Sequence, residues 1–566
     1  MSGQRLKTQF HRLYSHFEGK DSDTSLQEIA EILFCTHRNV RMVMNKMADK
    51  GWIDWQPAVG RGKLSRLIFH STDNELQQNY ARKLVAEGKL EPALTALNND
   101  ATMLAQLIQE QLGVSTQQGK QVVRLPYYRA FGNLDPLTPL RRSEQHLVRQ
   151  IFSGLTRLDE KKGEVESDLA HHWEALSSRH WRFYLRPAVR FHNGKLLDTK
   201  DVIATLNQVK QHRLFRHLLS IDSIAPHTID IHLKRDDVRL PYLLADHLAV
   251  IQPAEMVTHR DPDALPIGTG AYKLTQNDNQ RVKLEAFDQY YGFRAMIDVV
   301  EIWILEDFDV FYLKPVSESD EIAERGVSSR LHLDEGCNYL LYNRQTGLAN
   351  NQEWLHYFAQ RFNTLAMQCL LDQAKFSELR LINAYGLLPG WAHNSNMNVT
   401  VQYPPTRRTV TIAHLQDHPV YPLIAEKMTQ LLKQDGLKVK VLSLSTAEML
   451  VGKHASKVDI WISGMSLTTT QDEAILPWLY SFDHLYRAMP DDEFAQLEAL
   501  IAEWRSDSTK AFPANEIGMN LVQSHQIQPL FHAWLGVDNS GELQGMTSNS
   551  LGWFDFTSVW KKPNFS

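Results

Sequence analysis

"RFHNGKLLDTKDV", Arg190 to Val202, holds a turn and a helix start in one short segment. The turn falls at His192–Gly194, where glycine admits backbone conformations that other side chains exclude. Asp198 follows at the position of a helix N-cap, its carboxylate suited to accept from the first free backbone N–H groups. Both are scaffold features, so the stretch is expected to set the architecture and not to touch a ligand. A second punctuation mark, Gly268–Thr269–Gly270 in "PIGTGAYKL", has glycines that serve either a positive φ or a close approach of two backbones.

The chain around these segments has 566 residues, 43% hydrophobic and 22% charged, with a net charge of −6. That length exceeds what one core supports, and the composition supplies packed cores without the bias of a disordered chain. No fixed repeat period or low-complexity tract occurs, which argues against solenoids and propellers. No apolar run approaches the ~18 residues that span a bilayer. The opening, "MSGQRLKTQFHRLYSHF", is polar and charged with no secretory pattern, and Cys35, Cys337 and Cys369 are few and far apart. A cytoplasmic location with no disulfide framework and no zinc-ligand pattern is therefore expected. Charge is uneven: residues 1–70 hold 11 Lys/Arg against 7 Asp/Glu, about +4, leaving about −10 for the remainder.

The basic front is organised. Leu6, Phe10, Leu13, Tyr14 and Phe17 recur at helical spacing, and "DTSLQEIAEIL" opens a second helix with Ser25 and Glu28 in capping-box spacing. A third helix, "THRNVRMVMNKMADKG", starts at Thr36 and buries Val40, Val43, Met44 and Met47. At about 100° per residue this turns Arg38, Arg41 and Asn45 to the opposite side, flanked by Asn39 and Lys46. "WIDWQPAVGRGKLSRLIF" then reads as a hairpin with a basic tip. Helix, helix, basic helix and hairpin in that order make a winged helix-turn-helix over residues 1–72. Its third helix is expected in the major groove, where Arg and Asn suit guanine and adenine edges, with wing cations on phosphates. The residues expected to bind DNA are Thr36, His37, Arg38, Asn39, Arg41, Asn45, Lys46, Arg61, Lys63 and Arg66. Residues 73–119 read as a helical connector that packs on the reader or serves self-association, and residues 120–566 as a large α/β body.

That body carries a specific resemblance. "NLDPL" (Asn133–Leu137), "LVRQIFSGLTRLDE" (Leu147–Glu160), "DLAHHWEALSSRHWRFYLRPAVRFHNGKLLDTKDVIATL" (Asp168–Leu206), "PIGTGAYKL" (Pro266–Leu274) and "LEAFDQYYGFRAMIDVVEIWI" (Leu284–Ile304) resemble, in the right order, the family 5 solute-binding proteins of oligopeptide, dipeptide and nickel transport. Joined to the reader, and with "LPYYRAF", "AYGLLPGW" and "LGWFDF" added, nearly the whole chain resembles the SgrR-type bacterial transcriptional regulators. The resemblance implies a multidomain α+β and α/β chain: a winged helix-turn-helix, a helical connector, and a two-lobed periplasmic-binding-protein-like domain of type II with a small domain inserted in its first lobe. It also implies a DNA-binding activator or repressor that senses a small solute, with sugar phosphates among the family's stimuli.

For the cleft, the residues expected at ligand are Tyr127, Tyr128, Arg129, Trp391 and Trp553, because sugar rings stack on aromatic faces and phosphate suits an Arg fork. No HExxH, GxSxG or GxxxxGK[ST] pattern occurs, and the 24 histidines are scattered, so neither an enzyme nor a cofactor or metal site is expected. The expected partners are double-stranded promoter DNA and a small-molecule solute, with a homodimer as the assembly that would strengthen DNA binding. A second reading is a transport accessory protein whose front domain makes protein contacts.

Overall fold

The computed structural model describes residues 3–57, 63–138, 140–259, 261, 264–305, 330–371, 376–377, 379–393, 403–406, 408–418, 420–451, 454–465, 467, 472–481, 483–537, 543–546 and 549–563. The chain divides into two units, Met1–Leu112 and Gly113–Ser566.

In the first unit, helices α1 (Gly3–His16), α2 (Leu26–Leu33) and α3 (His37–Asp49) pack against strands β1 (Ser22–Thr24), β2 (Ile53–Gln56) and β3 (Ser65–Phe69). The strands form an antiparallel sheet in the order β1-β3-β2. Leu6, Phe10, Leu13, Ile29, Leu33, Val40, Val43, Met44, Met47, Ile53 and Leu67 make its core, each large side chain contributing about 1.5–3 kcal/mol of burial. The Ser25 side chain accepts from the Glu28 N–H at 3.1 Å, while the Glu28 carboxylate accepts from the Thr24 hydroxyl at 2.7 Å, so half of the expected capping box is made. Thr36 occupies the N-cap of α3 without a side-chain cap bond.

The connector begins as read, with α4 (Asp73–Ala86), α5 (Leu90–Ala96) and α6 (Ala101–Gln111). It packs on the reader: Leu76 joins the reader's core and the Lys7 ammonium lies 3.8 Å from the centre of the Tyr80 ring. Its last residues differ from the expectation of a helical segment to 119. Gln118 and Gly119 both take positive φ (50° and 80°), the geometry of a two-residue hairpin turn, so Gly113–Gln117 folds back as a strand of the second unit.

The second unit begins with that strand, β4 (Gly113–Gln117), and with β5 (Lys120–Tyr127) and α7 (Arg142–Ile151). An excursion follows: β6 (Thr156–Asp159), β7 (Glu164–Ser167), β8 (Ala170–Ser177), β9 (His180–Leu185), α8 (Thr199–Val209), β10 (Leu218–Ala225) and β11 (Thr228–Leu233). The chain then returns through β12 (Tyr272–Asn277), β13 (Arg281–Ala286) and β14 (Val299–Ile304). The first lobe is a five-stranded sheet, β12-β13-β14-β5-β4, parallel between β14 and β5. The excursion builds a separate four-stranded antiparallel sheet, β10-β11-β9-β8.

The second lobe contains β15 (Arg330–Leu333), β16 (Asn338–Tyr342), β17 (Leu381–Asn383), β18 (Thr409–Leu415), β19 (Lys438–Leu444), β20 (Ile460–Gly464) and β21 (Ile527–Val537) in one seven-stranded sheet. The end of the chain comes back to the first lobe, where Trp553, Phe554 and Phe556 enter its core and the Tyr272 hydroxyl donates to the Phe556 carbonyl at 3.1 Å.

The opening stretch acts here. Asp198 caps α8, accepting from the Lys200 N–H at 2.8 Å, and Asp201 completes the box by accepting from the Asp198 N–H at 3.0 Å. His192 binds the second glycine motif on both sides: its Nδ1 accepts from the Gly268 N–H at 3.3 Å and its Nε2 donates to the Gly270 carbonyl at 3.0 Å. Neither glycine needs a positive φ. Close approach is the reason for both, since a Cβ on Gly268 would lie 2.1 Å from the Ile151 carbonyl oxygen and one on Gly270 would lie 2.5 Å from that of Gln150.

The four-stranded sheet is pinned to the helix Asp491–Ser506 by Arg505, whose side chain is 1% exposed. Its guanidinium donates to Asp237 at 3.0 Å, with His217 alongside. Arg505→Leu is expected to cost about 3–5 kcal/mol in urea unfolding of the second unit, because Asp237 stays buried without its main counter-charge. The double replacement Arg505→Leu/Asp237→Leu is expected to cost less. A second expectation concerns pH. Burial lowers the His192 pKa from 6.5 to about 4, so between these values the unfolded chain binds the extra proton and stability rises with pH. From about pH 6.5 down to about 4 this group is expected to remove about 3 kcal/mol, and His192→Gln should flatten the measured slope by that amount.

Candidate functional site

The reading face of the first unit follows from its core. Because Val40, Val43, Met44 and Met47 are fully buried, the other side of α3 faces water. Thr36, His37, Arg38, Arg41 and Asn45 are exposed, and Asn39 and Lys46 are half-buried at its flanks. The His37 ring pairs with the Gln27 amide at 2.7 Å. Among the described residues no ion pair engages Arg38, Arg41 or Lys46. On the wing, Lys63 is exposed, while Arg66 pairs at 3.3 Å with Asp23, its register partner on β1. Arg61 lies outside the described residues.

Sequence reasoning missed Phe34. It follows Ala30 by four residues and would continue the buried stripe of α2, but its φ of 51° places it in the left-handed region. The ring is 82% exposed beside the start of α3, with the Arg12 guanidinium 5.3 Å from its centre.

The second site lies where the lobes meet. Helix α7 is seated on the first lobe through Leu147, Val148 and Ile151, and its N-cap, Arg141, provides no side-chain cap bond. The Arg141 guanidinium crosses to Asp417 at 3.1 Å and to the Thr446 hydroxyl at 2.5 Å. Arg142 reaches Asp334 at 2.9 Å. All three partners belong to the second lobe, beside β15, β18 and β19. Burial, reinforced by the charges of Arg142 and Arg141, lowers the pKa of His418 to about 3 and keeps this imidazole neutral.

Four of the five residues expected at ligand are brought together although Trp553 is distant in sequence. The Tyr127 hydroxyl donates to Ser143 at 2.5 Å and the Trp553 indole donates to the same oxygen at 3.1 Å. The Arg129 guanidinium forks onto Glu144 at 2.6 and 3.0 Å and lies 5.7 Å from the centre of the Tyr128 ring. Tyr127 and Trp553 are 3% and 5% exposed, with their rings packed on Phe131 and His146. They form the wall behind α7 and offer no open face, because their polar tips are drawn inward to Ser143. Trp391 stands apart from this group, half-buried, its indole donating to Asp472 at 3.1 Å. The unforeseen members are Arg141 and Arg142; their signal in the sequence was a pair of adjacent cations at the start of a helix.

The chain matches two family models: the N-terminal region of the sugar transport-related sRNA regulators over residues 5–119, and the middle region of the bacterial extracellular solute-binding proteins, family 5, over residues 164–314. It is 37% identical over 567 residues to the HTH-type transcriptional regulator SgrR of Yersinia pestis, covering 100% of both chains. It is 38% identical over 567 residues to that of Pectobacterium atrosepticum, again covering 100% of both. With that of Escherichia coli O157:H7 it shares 37% over 572 residues, covering 100% of this chain and 99% of the other.

Solved structures show the same fold at low identity. The binding protein AgaA with agropinic acid, from A. tumefaciens R10, has a TM-score of 0.64 at 17% identity over 78% of this chain and 99% of its own. The oligopeptide-binding protein AppA of Bacillus subtilis, with a nonapeptide, has 0.62 at 16% over 78% of this chain and 100% of its own. The full-length relatives are regulators of transcription and not enzymes. With a winged reader and a two-lobed binding fold in one chain, this protein belongs to the family of SgrR HTH-type transcriptional regulators.

Proposed function

We propose that α3 reads promoter DNA in the cytoplasm, with Arg38, Arg41 and Asn45 at base edges and Thr36, His37 and Asn39 at the entering end. Lys46, Arg61, Lys63 and Arg66 then meet phosphates. The observation that carries this is the state of the arginines. Arg124, Arg129, Arg182, Arg344, Arg361 and Arg505 are committed to carboxylates, whereas Arg38 and Arg41 stand exposed without an ion pair among the described residues. Their exposed guanidinium groups suit guanine edges. A homodimer that sets two readers on neighbouring half-sites belongs to the same reading.

The second half of the proposal is that the effector is a phosphorylated sugar. Two arginines at a helix start whose backbone N–H groups lack a side-chain cap suit a phosphate, which accepts from both kinds of donor. The phosphate takes the place of Asp334 and Asp417 on Arg142 and Arg141. Arg129 and Tyr128 lie behind them, and Tyr127 and Trp553 back the wall. Because the bonds of Arg141 and Arg142 cross between lobes, exchanging their partners changes the balance between open and closed states. An effector needs such a differential interaction.

In anisotropy titrations at fixed salt, Arg38→Ala and Arg41→Ala are expected to weaken binding to the cognate promoter by about 1–3 kcal/mol and to relax its sequence preference. Lys63→Ala should weaken all DNA about equally and reduce the salt slope by about one. Unchanged binding in all three variants would remove the reader assignment. For the effector, glucose 6-phosphate is expected to raise the thermal midpoint of the wild type and to shift its DNA binding. Arg142→Gln should lose both responses. Equal responses in wild type and Arg142→Gln would remove the phosphate assignment.

A further inference from the structure

Outside both sites, the outer face of the four-stranded sheet gathers side chains that the regulatory function does not use. Trp181, Phe183, Leu185, Ile229, Ile231 and Leu233 point into the core, so the alternate residues of β9 and β11 share the opposite face. His180 and His232 are direct register partners there, their rings stacked with centres 4.1 Å apart. Asp230 precedes His232 by two residues on the same face and is 2% exposed. Its Oδ2 lies 2.8 Å from His180 Nε2, and one ligand atom from each of His180, Asp230 and His232 lies within 4.8 Å of the others. Among the described residues this is the one cluster of three such groups with that spacing.

From this geometry we infer that His180, Asp230 and His232 form a binding site for a divalent transition metal of the Zn²⁺ class. Metal–ligand bonds of about 2.0–2.2 Å in a tetrahedral site place ligand atoms roughly 3.3–3.5 Å apart, and the three ligand atoms here already lie within 4.8 Å of one another. Two imidazoles and one carboxylate suit Zn²⁺ or Ni²⁺ and do not suit Mg²⁺ or Ca²⁺. Water fills the fourth position.

The metal replaces the proton between His180 Nε2 and Asp230 Oδ2; a neutral imidazole then carries its proton on Nδ1. Arg182 is the competitor, donating to Asp230 Oδ1 at 2.7 Å and to Oδ2 at 2.8 Å. It keeps the first bond and gives up the second. Asp222, the register partner of Asp230 on β10, and Glu174, that of Arg182 on β8, bring further carboxylates to the same face, so three carboxylates and one guanidinium leave local room for positive charge. Bound metal staples β9 to β11 on the side of the sheet away from the core.

The test is calorimetric titration of chelator-treated full-length protein with ZnCl₂, comparing wild type with His180→Asn, His232→Asn and the control His171→Asn. The expected result is a Zn²⁺ site in wild type and His171→Asn that is lost, or weakened by at least about tenfold, in the other two. Zn²⁺ should also raise the thermal midpoint of wild type and His171→Asn alone. Far-ultraviolet circular dichroism checks that the variants are folded, and because either histidine variant tests the site, one misfolded variant leaves the other to decide. Equal Zn²⁺ stoichiometry and affinity in all four proteins overturns the proposal. An equal loss in His171→Asn also overturns it, by placing the ion elsewhere on the sheet.

Discussion

Two backbones approach so closely at the base of the first lobe that only glycine fits between them. The chain leaves this lobe after Ile151 and must return to it through Gly268–Thr269–Gly270, whose second glycine donates to the Ile151 carbonyl at 2.8 Å. His192, supplied by the excursion itself, locks the contact by bonding to both glycines. The inserted sheet, the end of α7 and the start of β12 are thereby held in one place. The segments on which family resemblance rests most clearly are thus joints, and their chemistry is that of packing and backbone hydrogen bonds.

Fixing the end of α7 also fixes where its start points. The helix carries Arg141 and Arg142 to the second lobe, and the bonds they make there are partly exposed. By contrast, Arg505 with Asp237 is fully buried. Exposed charge pairs exchange partners at little cost, whereas a buried pair resists separation because either charge left alone is expensive. One set of ion pairs therefore suits a switch and the other suits a frame, which is the division of labour a two-lobed binding fold needs in order to report a ligand to an attached reader.

Much of the first unit was legible because its signals are local. Helical periodicity placed Val40, Val43, Met44 and Met47 inside and Arg38, Arg41 and Asn45 outside, and no other part of the chain had to be known. Phe34 escaped for a conformational reason: a single left-handed residue in the short turn after α2 set its apolar side chain outward. The hairpin at Gln118–Gly119 escaped similarly, since two positive φ values turned the expected end of the connector into a strand of the other unit.

The sequence by itself determined the helices of the reader, the faces of its third helix and the family likeness of the body, because these rest on spacing within a few turns or on ordered motifs. Only the tertiary structure decided which distant residues meet. It drew Tyr127 and Trp553 to a shared Ser143 and so made a wall of rings that looked like ligand faces. It set Arg141 and Arg142 against Asp417 and Asp334, and paired His180 with His232 through the register of two strands. Such meetings depend on strand pairing and on the packing of one lobe against another, and a linear order of residues carries no distance between groups so far apart along the chain.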